Sequence, residues 1–69
     1  MALWNVKVVE AEHESDDIVT EHEDIPGEDL PALLESLRTK MRDAYEDHEL
    51  LEYYMPDQRI VLTLVNDGY

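Results

Sequence analysis

The sequence predicts an α+β domain of ββαββ order, with one helix packed on a small, mainly antiparallel sheet. Three observations predict it. Residues 3–13 and 17–25 read as strands, residues 30–47 carry an apolar stripe at helical spacing, and residues 59–66 are almost all apolar or β-branched. With 69 residues the chain forms one domain, 1–69.

In the first strand Trp4, Val6, Val8, Glu10 and Glu12 alternate with Leu3, Asn5, Lys7, Val9, Ala11 and His13. The second, weaker strand contains Ile18, Val19, Thr20 and Ile25, and Glu14-Ser15-Asp16-Asp17 supplies turn-formers between the two. A two-residue loop at Ser15-Asp16 places Glu10 opposite Glu21, Val8 opposite Glu23, Glu12 opposite Val19 and Val6 opposite Ile25.

Ile25-Pro26-Gly27-Glu28 breaks the strand, Asp29 is placed as the N-cap of the helix, and Pro31 falls in its first turn, where a missing N–H is tolerated. The helical stripe comprises positions 30, 33, 34, 37, 41, 44, 45 and 48. Arg38, Lys40 and Arg42 form the basic cluster of the chain on this helix, with Glu35, Asp43 and Glu46 at i±3 and i±4 spacing.

Residues 49–55 fit either a strand or a continuation of the helix, which leaves ββαβ with a longer helix as the alternative. A helix reaching Met55 would be about 40 Å long, too long for a domain of this size to cover. The strand reading is preferred, with a turn at Pro56-Asp57-Gln58 and a central strand at 59–66. If both hairpins share one sheet, its order is 2-1-4-3, with strands 1 and 4 parallel in the middle and the acidic second strand at an edge.

Eighteen Asp and Glu stand against five Lys and Arg, a formal net charge of −13. Such a chain is repelled by nucleic acid and by anionic membranes and steered toward basic surfaces. There is no Cys, so disulfides and CxxC zinc sites are excluded. The N-terminal residues show no basic stretch followed by an apolar one, and no segment approaches the roughly 18 apolar residues of a membrane span. A cytoplasmic protein is expected.

The acidity is concentrated. Glu10, Glu12, Glu14, Asp16, Asp17, Glu21, Glu23, Asp24, Glu28 and Asp29 fall in one 20-residue window that contains no Lys or Arg. Same-face residues on a strand are about 6.6 Å apart, comparable to the step between successive phosphates of a nucleic-acid strand. Directly opposed like charges cost up to about 1 kcal/mol each, so holding them on a folded hairpin is a burden that a binding role explains. These ten residues are the candidate partner-binding surface. The competing readings are a solubilising surface and halophilic adaptation, though the latter would coat the molecule evenly rather than in a patch.

Other chemistry has little support. On the predicted register His13 and His22 lie about 13 Å apart, beyond joint metal coordination, and no EF-hand loop is present, so no metal site is expected. No nucleophile–base spacing, phosphate loop or dinucleotide fingerprint occurs, so neither an enzyme nor a cofactor is expected. Glu10 and Glu21 form a carboxylate pair on the predicted register, but a domain this small offers little to enclose a substrate. Of the adjacent Tyr53 and Tyr54, a strand exposes one for stacking on Arg.

In its small size, lack of Cys, intense acidity and carboxylate-lined hairpin the chain resembles phage-encoded DNA-mimic inhibitors, among them the acidic anti-CRISPR proteins. The likeness carries no motif, so no residue role is transferred with it. It implies a stoichiometric inhibitor that occupies the Lys/Arg groove meant for target DNA, such as the PAM-reading site of a CRISPR surveillance complex. The alternative is a small adaptor or structural module, as monomer or homodimer, using its apolar strand or a sheet face rather than charge.

Overall fold

The computed structural model describes residues 2–11 and 16–66, with only the backbone of 16 and 17. Its elements are β1 (Leu3–Ala11), β2 (Asp16–Pro26), α1 (Leu30–Ala44), β3 (His48–Met55) and β4 (Arg59–Asn66), with a 3-10 turn at Gly27–Asp29. The order is ββαββ. Residues 48–55 are a strand, so the longer-helix alternative is overturned.

The four strands form one sheet in the order β2-β1-β4-β3. β1 runs antiparallel to β2 and parallel to β4, and β3 runs antiparallel to β4. The parallel pair follows from α1, which carries the chain back across one face of the sheet before the second hairpin starts.

That face holds the core. Val6 and Val8 from β1 and Ile60, Leu62 and Leu64 from β4 are fully buried against Leu34, Leu37 and Met41 of α1. Burying each such side chain contributes about 1.5–3 kcal/mol. Trp4, Leu30, Leu33, Tyr45 and Leu50 close the margins.

The helix ends three residues earlier than the stripe predicts, at Ala44. Tyr45 donates its N–H to Met41 O at 2.8 Å but turns out of the helix (φ −127°, ψ 67°), and His48 N–H reaches Tyr45 O at 3.1 Å. Tyr45 and His48 still pack together, ring edge to ring face with centroids 5.2 Å apart. Their apolar spacing therefore reflects a packed turn that opens β3. Asp29 occupies the N-cap position without capping: its backbone is helical (φ −92°, ψ −10°) and its side chain makes no cap bond. The 3-10 turn runs straight into α1, and Leu30 N–H bonds Gly27 O instead.

The first hairpin departs most from expectation. Near the turn Glu10 pairs with Asp17, not Glu21; further along Val8 pairs with Thr20, Lys7 with Glu21 and Val6 with His22. Two irregularities shift the register. Val19 is an extra residue between the pairs Val9–Ile18 and Val8–Thr20, and Asn5 faces both Glu23 and Asp24. Asp24 adopts φ 57° there, and its N–H is held by Asn5 Oδ1 at 3.1 Å. Each extra residue reverses which face the following side chains take. The bulges thus keep Thr20, His22 and Ile25 on the helix side with Val8, Val6 and Trp4.

Candidate functional site

The register decides where the carboxylates go. Glu10 lies in line with Val6 and Val8 on the helix side, half-buried, its Oε2 at 3.5 Å from His48 Nε2 across the end of β4. Glu21 lies opposite Lys7 on the other face, away from the helix. Glu23 joins it, lining a shallow groove of about 110 Å³ with Asn5, Lys7, Glu21, Arg59 and Val61. The predicted pairings of Glu10 with Glu21 and of Val8 with Glu23, which set those carboxylates on one face, are therefore corrected, and with them the Glu10–Glu21 carboxylate pair.

What remains together is a run along one side of the molecule. Glu21, Glu23, Asp24, Glu28 and Asp29 are all exposed, on the edge strand β2 and the 3-10 turn that follows it. Backbone pairing to β1 positions Glu21, the irregularity opposite Asn5 places Glu23 and Asp24, with Asp24 held by the Asn5 hydrogen bond, and the turn running into α1 positions the last two. Asp16 and Asp17 belong to β2 by their backbone, paired with Ala11 and Glu10. Glu12 and Glu14 lie outside the described residues, as does His13.

The chain segment without Lys or Arg nevertheless folds beside two bases. Lys7 stands opposite Glu21, and Arg59 borders the same groove while holding Asp57 at 2.8 Å. That contact lowers the Asp57 pKa. Sequence reading missed both bases because they arrive from neighbouring strands.

The second concentration of charge was also missed. Arg38 on α1 grips Glu52 on β3 at two points, Nε to Oε2 at 2.6 Å and Nη2 to Oε1 at 2.7 Å. Tyr54 donates its hydroxyl to the same Oε1 at 2.7 Å. The Arg38 hydrogen bonds, with help from Tyr54, hold the Glu52 carboxyl below its ordinary pKa; Arg38 and Tyr54 are raised in turn, each chiefly by its bond to Glu52. Beside this cluster an open cavity of about 270 Å³ is lined by Arg38, Arg42, His48 and Glu52 over Met41, Leu50 and Leu64. The alternation of β3 could have placed Glu52 beneath the helix, had the register with β4 been known.

Tyr53 and Tyr54 point to opposite faces, yet both are exposed. Among the described residues no three His, Asp or Glu gather as a metal-holding group. No described helix is long and apolar enough to cross a membrane.

The arrangement is that of an α+β domain with an acidic edge. No family model, curated protein or solved structure matches the chain.

Proposed function

We propose that this protein is a DNA-mimic inhibitor: it binds the positively charged DNA-binding groove of a host defence complex, such as a CRISPR effector, and keeps target DNA out. One observation carries the reading. Five exposed carboxylates, Glu21, Glu23, Asp24, Glu28 and Asp29, are held along one edge of a paired sheet and the turn after it, in a chain of net charge −13.

The physics is that of polyanion exchange. A groove built for phosphates carries bound counterions and unpaired Lys and Arg, and a second polyanion that releases those counterions competes directly with DNA. The whole-molecule field speeds encounter, while fixed carboxylates lose less entropy on binding than a disordered acidic tail would. Arg–carboxylate pairs are two-pointed, as Arg–phosphate pairs are, so the groove accepts the substitute.

The test titrates the protein into a panel of guide-RNA-loaded CRISPR effectors before labelled target duplex is added. The reading expects duplex binding to be lost in at least one, with inhibition weakening steeply as salt rises. Retention of duplex binding throughout the panel overturns it.

A further inference from the structure

One face of the sheet is left uncovered by the helix, and it is apolar. Val9, Val61, Thr63, Val65, Leu51, Tyr53 and Met55 share it by register, and no described element covers it. Ile18 joins them opposite Val9, and Leu3 extends the face on β1. Among the described residues, most of the large apolar side chains that are strongly exposed stand here: Leu3 48%, Ile18 58%, Tyr53 47% and Met55 37%. A contiguous apolar patch on so small a domain marks an interaction surface.

Its border identifies the occupant. The Val19 bulge turns Glu21 and Glu23 to this face, and Glu49 joins it from β3. Lys7 and Arg59 are on the same face, but one lies opposite Glu21 and the other is held by Asp57, so the border is acidic on balance. A second copy would bring acidic borders and two charges of −13 together. A partner with an apolar strip between Lys and Arg residues meets both features at once, with an apolar centre and a charged rim.

We infer that the open sheet face, centred on Leu51, Tyr53, Val61 and Ile18, is the docking surface for a protein segment whose apolar centre is flanked by basic residues. This rests on the proposed function and deepens it: the partner is gripped through the open face, with the acidic edge as its rim. Charge supplies steering and orientation, and the apolar centre supplies duration.

The test uses two defined probes on the full chain, a peptide with an apolar centre between arginines and an oligo-arginine of equal charge, followed by backbone amide NMR. The inference expects the first to bind at least about tenfold more tightly, the equivalent of burying about one apolar side chain. Shifts should spread over residues 51–55 and 61–65 as well as 21–23. An Ile18→Thr/Tyr53→Thr variant, exposed at both sites and β-branched in both replacements, should keep its fold and lose that tenfold preference. Equal binding of both peptides, with shifts confined to 21–29, overturns this inference and leaves the electrostatic reading standing. Failure of both peptides to bind overturns the two together. A salt-insensitive dimer by sedimentation, with amides of this face protected, also overturns it, since the occupant would then be a second copy.

Discussion

Glu10 and Glu21, which simple alternation in a two-residue hairpin places side by side, stand on opposite faces of the sheet because Val19 is one residue more than β1 can pair. The consequence is functional as well as geometric. Glu10 is drawn to His48 on the helix side, while Glu21 and Glu23 border the open face. One unpaired residue thus decides which carboxylates act together.

Deleting Val19 tests that account. Deletion lets Ile18 and Thr20 follow one another opposite Val9 and Val8 in an unbroken ladder, so Glu21 and Glu23 keep the open face and the fold should stay within about 1 kcal/mol of the parent. Val19 is 37% exposed, so Val19→Thr should stay within about 0.5 kcal/mol of the parent. Urea unfolding of the two variants gives the comparison. A loss of more than about 2 kcal/mol on deletion would mean that Val19 is not the extra residue and that the register is not as described.

The Arg38–Glu52 pair predicts a pH dependence. Arg38 holds the Glu52 carboxyl below its ordinary value of 4.5. The folded state therefore releases that proton more readily than the unfolded chain, so the stabilisation is complete above 4.5 and is lost as pH falls through the lower folded value. With Arg38 34% and Glu52 23% exposed, solvent screening limits the pair, and Glu52→Gln should cost about 1 kcal/mol at neutral pH. The deficit should shrink as both proteins are taken toward pH 3, read from denaturation midpoints across that range. A deficit constant with pH would show that packing, not charge, links α1 to β3.

Gln58 has φ 64° in the turn between β3 and β4, where a side chain carries a steric cost. Its carbonyl accepts the Asn5 N–H at 3.1 Å, so the turn also fixes the neighbouring strand. Gln58→Gly removes the steric cost of roughly 1–2 kcal/mol and adds unfolded-state entropy, for a net gain of about 0.5–1 kcal/mol. Thermal unfolding should show a higher midpoint; a lower one would mean that the Gln58 side chain contributes contacts of its own.

Much of the architecture was legible because two periodicities carry it. The alternation of Trp4, Val6 and Val8 and the Leu30–Met41 stripe mark faces that must be buried, and Ile60, Leu62 and Leu64 mark a central strand. The site was legible only in composition. A bulge at Val19 leaves no local signal in a β-branched residue that also suits a regular strand. Asp24 was a weak signal, since Asp tolerates positive φ better than most residues. The helix end at Ala44 and the Arg38–Glu52 contact depend on how β3 docks, a long-range relation that spacing along the chain does not encode.

The most direct measurement of the central claim is charge reversal on the acidic edge. Glu21→Lys with Glu23→Lys, both exposed, is compared with Glu35→Lys with Asp43→Lys on the helix, a control of equal charge change. Inhibition of duplex binding by a guide-RNA-loaded CRISPR effector and urea stability are read for each. The account predicts that the edge variant loses inhibition by about 100-fold or more and the helix variant by less than about tenfold, while the edge variant, which sets Lys opposite Lys7, stays folded and loses no more than about 1–2 kcal/mol. Equal inhibition by the edge variant and the parent would contradict it.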